Sequence, residues 1–255
     1  MTVHTAVGKL HQDFSERPPT GDEAEHTAGE VFHLKHISAS ADPVNRPGPY
    51  ERAQARAGQI LRNYAESYSE DFTRRRQVEV AFEVPVDQAV ISGTIDLMLT
   101  VDPDNNILDA SVIDFKAIQA GQDPEESEEL HWTELALQVQ LYAKAAREVL
   151  GQNARTGAVH LLKDNTRVNV PVVEEAIKAA VRNVEWTVRR ILDGDFPMRP
   201  HSRKCADCDF KALCPRTPQG FRTDSQPPPI HVPGGRGTMM ARAFSEFEEA
   251  DGVSS

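Results

Sequence analysis

Ser92-Gly-Thr-Ile-Asp-Leu97 and Val112-Ile-Asp-Phe-Lys-Ala-Ile118 are the segments whose reading decides the fold. They lie in two apolar runs, residues 90–101 and 108–118, that flank Asp102-Pro-Asp-Asn-Asn106. Pro, Asp and Asn favour a chain reversal, so the stretch predicts a β-hairpin. With the turn centred near Asn105, Asp96 falls opposite Asp114, each nine residues from the centre. Opposed side chains sit roughly 5 Å apart at Cβ and point to the same face. Lys116, two residues beyond Asp114, shares that face by the period of two. The hairpin therefore gathers two carboxylates and one ammonium.

Such a cluster costs free energy, since the carboxylates repel and each is expensive to desolvate unpaired. A divalent cation resolves the conflict. Oxygen ligands with open positions suit Mg²⁺ or Mn²⁺, and a nearby lysine could orient a water or stabilise charge developing on phosphate. An isolated Asp-x-Lys is more often a plain salt bridge at the end of two strands. Its neighbours along the chain decide between the two.

The outer bounds come from composition. At 255 residues the chain can hold one sizeable α/β domain with appendages. Its 39% hydrophobic and 26% charged residues describe an ordinary globular protein. No run approaches a membrane span and the N-terminus does not resemble a signal peptide, so the expected compartment is the cytoplasm and no membrane partner is expected. A net charge of −11 argues against a broadly basic nucleic-acid coat. Much of the acid is local, in Asp22, Glu23, Glu25 and Glu30 and in Asp123, Glu125, Glu126, Glu128 and Glu129. A protein that holds DNA through cations and a few placed Arg and Lys side chains tolerates that remainder, but binds weakly without a partner.

Helical spacing of Val3, Val7, Leu10 and Phe14 predicts a first amphipathic helix that carries His11. Residues 16–49 read as a long connection rich in Pro, Gly and Glu. Ala53, Ala57, Ile60, Leu61, Tyr64 and Tyr68 mark a second helix, with Arg52, Arg56 and Arg62 on its other face. Residues 78–85 form a strand that leads into the hairpin. An acidic loop over 119–129 follows, then a helix over about 130–150, strands over 157–162 and 166–170, and a helix over about 172–192. This order predicts an α/β fold, a central mixed β-sheet flanked by α-helices, over residues 1–217. Residues 218–255, with Pro227-Pro-Pro229 and Gly234-Gly235, predict a disordered C-terminal tail.

Three further motifs carry chemistry. Gln138 and Tyr142 stand four residues apart on one helical face and could hydrogen-bond a phosphate or steady Lys116. His11 could supply a neutral imidazole to a cation, or could simply be a half-buried helix residue. His160 reads as a strand residue packed against the sheet. Cys205, Cys208 and Cys214 are the chain's three cysteines, and their C-x₂-C-x₅-C spacing suits one metal or an iron–sulfur cluster. Four ligands are needed, so His201 could complete a Zn²⁺ site, or the thiols could carry no metal.

Taken in order, these residues resemble the PD-(D/E)XK nuclease superfamily, and more narrowly the RecB-like domain of UvrD-type and AddB-type helicase–nucleases. The matching elements are Gly8-x-x-His11, Glu79 with Phe82, Gly93-Thr-Ile-Asp96, Asp114-Phe-Lys116, Gln138-x-x-x-Tyr142, and Phe196-Pro followed by the cysteines. The resemblance implies a restriction-endonuclease-like core. It implies a metal-dependent DNA nuclease, an exonuclease on ends or single strands, in repair, recombination or defence. His11, Asp96, Asp114 and the Phe115 carbonyl would hold Mg²⁺ or Mn²⁺. Lys116 would position the attacking water, with Gln138 and Tyr142 orienting Lys116 and the strand; Glu79 would be a weaker, outer candidate. In iron–sulfur relatives a fourth cysteine precedes the Gly-x-x-His helix, and none stands there in this sequence. That departure implies a shortened relative, or a cluster lost or replaced by zinc. No Gly-x-x-x-x-Gly-Lys-Ser/Thr loop occurs, so a helicase motor would have to be a separate subunit. A DNA-binding or assembly module that retains the fold with impaired catalysis is the alternative reading.

Overall fold

The computed structural model describes residues 2–100, 109–117, 132–195, 209 and 227–233. Among these, five strands form one mixed sheet in the order β1 (Arg76–Val86), β2 (Ala89–Thr100), β3 (Asp109–Lys116), β4 (Asn153–Leu161) and β5 (Thr166–Val170). Every neighbouring pair is antiparallel except β3 and β4. That parallel step needs a crossover, supplied by helix α4 (Trp132–Glu148). The remaining helices are α1 (Thr2–Asp13), α2 (Gly21–Val31), α3 (Pro49–Ser67) and α5 (Glu174–Leu192), with a 3₁₀ turn at Ser69–Phe72. The architecture is α/β with a restriction-endonuclease-like sheet. None of the described helices is long and apolar enough to cross a membrane.

Two apolar layers enclose the sheet. On one side Leu97, Leu99, Ile113 and Phe115 meet Val7 and Leu10 of α1 and Leu61 and Tyr64 of α3. On the other, Phe82, Ile95, Val112 and Val159 meet Leu135, Val139 and Tyr142 of α4 and Ile177 of α5. Strand β3 is buried on both faces, with Val112 in one apolar layer and Ile113 and Phe115 in the other. At Gly157 of β4 the sheet and α4 come so close that an added Cβ would lie 2.6 Å from a Val139 methyl.

The hairpin pairs as the spacing predicts. Leu97 through Thr100 face Ile113 through Ala110, a pairing centred on position 105, while the turn itself lies outside the described residues. Beyond Leu97 the two strands part. Asp96 is not in the ladder, and its carboxylate takes the Phe115 N–H in place of a backbone carbonyl. A matching break occurs on the neighbouring strand. Glu79, opposite Asp96, drops out of the β1–β2 pairing with φ at +51°. Val78 packs with the α1–α3 layer while Val80 packs with the α4–α5 layer, and Leu97 and Ile95 divide in the same way. The strand pair thus changes faces at Glu79 and Asp96, and Asp96 sits at the crossing.

Two segments differ from the expectation drawn from sequence. Within residues 16–49 the chain forms α2, whose N-terminus carries a capping box: the Thr20 hydroxyl accepts from the Glu23 N–H, and the Glu23 carboxylate accepts from the Thr20 N–H at 2.8 Å. Small residues on both helices, Ala24 and Ala28 against Ala57 and Ala65, let α2 lie on α3, and Arg62 ties α3 to Asp22 and Glu25. Residues 227–233, expected within a disordered tail, lie against α4 and α5. The buried Gln140 amide donates to the His231 carbonyl at 2.6 Å, the Asn183 amide to the Pro228 carbonyl at 2.8 Å, and Ile230 and Val232 pack on the core. Side-chain amides satisfying the proline-rich backbone are the physical reason this stretch is held.

Candidate active site

Asp114, Lys116, Gln138 and Tyr142 form one connected chain of polar contacts. Asp114 and Lys116 stand on the α4 side of β3, and the ammonium lies 3.0 Å from Asp114 Oδ1 and 2.8 Å from Oδ2. Its second anchor is Gln138 Oε1 at 2.9 Å, and the Gln138 amide donates to the Tyr142 hydroxyl at 2.7 Å. One helical turn separates Gln138 from Tyr142, so α4 presents both to the end of β3. Lys116 is thereby fixed at two points, and its side chain keeps 26% of its exposure while that of Asp114 keeps 1%.

Electrostatics set the character of this group. Burial pushes the Asp114 carboxyl up to about 6, with the Asp96 charge adding to the effect and Lys116 opposing it. Asp114 Oδ2, although close to Lys116 Nζ, has no hydrogen bond of good geometry. Burial and the two aspartate charges also raise the Tyr142 pKa, keeping the phenol protonated. Asp96, 9% exposed, accepts from the Phe115 N–H and from His4 Nε2, both at 2.8 Å.

His4 was not singled out in the sequence. It stands one helical turn before Gly8 and two before His11, on one face of α1, and that spacing was the available signal. The hydrogen bond with Asp96 raises its pKa. His11 is placed differently from His4. It is 2% exposed, its Nε2 lies 2.8 Å from the Tyr64 hydroxyl, and its ring stacks on Phe72. Burial first, then the nearby Arg76 charge, lowers its pKa to about 3, so the imidazole is neutral. His11 and Asp96 do not touch through a hydrogen bond, yet both border a tight crevice also lined by His4, Gly8, Glu79 and Phe115. Glu79 packs its carboxylate against Gly8, where a Cβ would leave only 3.0 Å.

Among the described residues, no three His, Cys, Asp or Glu side chains converge closely enough to enclose a metal ion by themselves. Mg²⁺ does not require this, since it keeps several waters and binds through one or two carboxylates. The under-bonded Asp114 Oδ2, the carboxyl displaced upward by burial and the adjacent Asp96 fit such a cation. Cys205, Cys208, Cys214 and His201 lie outside the described residues.

Comparison with known proteins bears on the whole domain. Two solved structures are similar in part: a candidate exonuclease from Eubacterium rectale, 12% identical over 79% of this chain and 92% of that chain with a TM-score of 0.39, and SSO0001, 20% identical over 83% and 86% with a TM-score of 0.35. No curated protein matches the chain. Residues 1–215, which contain α1, the whole sheet and both anchors of Lys116, match the PD-(D/E)XK nuclease superfamily. The aspartate on β2, the Asp-x-Lys on β3 and the Gln/Tyr pair on the following helix all lie within the matched residues, and the chain belongs to that superfamily.

Proposed function

We propose that this chain is a Mg²⁺- or Mn²⁺-dependent deoxyribonuclease of RecB-like type that hydrolyses phosphodiester bonds at DNA ends or in single strands. The observation that carries the reading is the doubly anchored Lys116, held between Asp114 and Gln138 with Asp96 alongside. Asp96, Asp114 and the Phe115 carbonyl would hold the cation, with His11 as a nitrogen ligand from α1. When bound, the cation supplies activation of water and neutralisation of charge developing on the phosphate. Lys116 holds the attacking water in line with phosphorus. Gln138 fixes the ammonium, and Tyr142, kept protonated, offers Gln138 and the approaching strand a hydrogen-bonding hydroxyl. The net charge of −11 leaves little general attraction for DNA, so a partner such as a helicase subunit would deliver the substrate during repair, recombination or defence.

The test is cleavage of single-stranded, blunt and circular DNA with and without Mn²⁺, using the wild type, Asp114→Ala and Lys116→Ala. Each substitution should lower the rate by at least about 10²–10⁴-fold, with the circular dichroism spectrum unchanged. Undiminished hydrolysis by both purified, folded variants would overturn the proposal, and cutting of circular DNA would replace exonuclease by endonuclease action.

A further inference from the structure

We propose that Tyr64 and Asp71 are positioning residues that hold His11 in the tautomer with its proton on Nε2, leaving Nδ1 bare for a cation at Asp96. This rests on the cation-dependent reading above and extends it to residues that touch neither cation nor DNA.

The argument is an accounting of protons. Asp71, on the 3₁₀ turn and 1% exposed, only accepts. Arg167 of β5 donates to both its oxygens, at 3.2 and 2.5 Å. The Tyr64 hydroxyl donates to Asp71 Oδ2 at 3.1 Å, which uses its single proton. Toward His11 Nε2, 2.8 Å away, the Tyr64 oxygen can therefore only accept, so Nε2 carries the hydrogen. His11 Nδ1 then has a lone pair, and it is buried with no partner. A histidine that ligates through one nitrogen donates from the other to an acceptor that fixes tautomer and orientation, and Tyr64 is in that position.

The rest of the surroundings restrains the ring. Phe72 stacks on it at 4.2 Å and 9°, and the Arg76 guanidinium donates to the His11 carbonyl at 3.1 and 3.2 Å. His11 borders the crevice shared with Asp96, whereas Asp71 and Arg167 are absent from its lining. Three elements besides α1 thus converge behind one imidazole: α3, the 3₁₀ turn and β5.

The experiment is ¹⁵N NMR of the histidine rings in the full chain, first free of cations and then titrated with Mn²⁺, for the wild type and Tyr64→Phe. In the cation-free wild type His11 should show the Nε2–H tautomer, and Mn²⁺ should broaden its resonances. Tyr64→Phe should lose the tautomer preference and weaken Mn²⁺ binding by roughly 10-fold or more, with backbone amide dispersion retained. An Nδ1–H tautomer in the wild type overturns the proposal without any variant, and so does unchanged Mn²⁺ affinity in Tyr64→Phe. A wild type that binds Mn²⁺ with His11 unaffected removes this inference alone, whereas a wild type that takes up no Mn²⁺ removes the cation reading with it.

Discussion

Asp114 is the residue at which stability and function conflict most directly. Its carboxyl is displaced from 3.8 to about 6, chiefly by burial. The folded state therefore keeps a proton that the unfolded chain releases above about pH 4. Ionisation opposes folding, increasingly as pH rises from about 4 to 6, and the full cost is present above that window. A displacement of this size corresponds to about 3 kcal/mol at most. Asp114→Asn should accordingly raise the melting temperature of EDTA-treated protein at pH 7.5 while abolishing cleavage. Mg²⁺ should stabilise the wild type and leave the variant unmoved. A variant less stable than wild type in EDTA would show that Lys116 more than compensates the buried charge. The register of β2 on β3, centred on position 105, was legible because turn chemistry and a period of two fix which residues oppose. The Asp96–His4 contact was not, because it depends on both strands changing faces at Glu79 and Asp96, which no regular period encodes. Tyr64, Asp71 and Arg167 were equally hidden: Tyr64 meets His11, Asp71 meets Tyr64 and Arg167 meets Asp71, and each read singly is an ordinary core or surface residue.

At the scale of elements, legibility followed the strength of local patterning. The strands and α1, α3, α4 and α5 carry apolar residues at clean periods of two or 3.6, so their existence could be read and only their ends shifted. Helix α2 lacks large apolar residues; it buries Ala24, Thr27 and Ala28, and its composition reads as a loop. What marks it is the cap, Thr20-x-x-Glu23, a signal that depends on hydrogen bonds and not on hydrophobicity. If the capping box specifies where α2 begins, Thr20→Ala should lower stability by about 1 kcal/mol in chemical denaturation. Thr20→Ser should restore most of the loss. Because α2 packs on α1 and α3 and none of the site residues named above lies on it, DNA cleavage at 25 °C should be unchanged. Equal stability of Thr20→Ala and wild type would mean that packing on α3 alone places the helix.

For the whole molecule, the two apolar layers differ in their response to acid. The layer formed with α1 and α3 contains two neutral, buried histidines: His11, and His160, whose ring lies among Tyr64, Tyr68 and Phe115 with neither nitrogen hydrogen-bonded. Burial first, then the Arg167 charge, lowers the His160 pKa to about 4, alongside about 3 for His11. In the unfolded chain both take a proton near 6.5, so their contribution to stability is complete above that pH and is lost as pH falls toward 4 and 3. By pH 5 each has cost about 2 kcal/mol, while Asp114, moving the other way below 6, has returned about 1. The net loss of about 3 kcal/mol is a large share of the 5–15 kcal/mol typical of folded domains. The denaturant midpoint should therefore fall between pH 7.5 and 5. His160→Leu should flatten that dependence by about two thirds, because it removes about 2 of the net 3 kcal/mol, and an apolar cage that gives a ring no hydrogen bond gains from losing the polar atoms. At pH 7.5 the same substitution should be neutral or stabilising, since leucine is close in volume and no partner is orphaned. Midpoints that stay level or rise on acidification, or a His160→Leu slope equal to wild type, would place the acid response outside this layer.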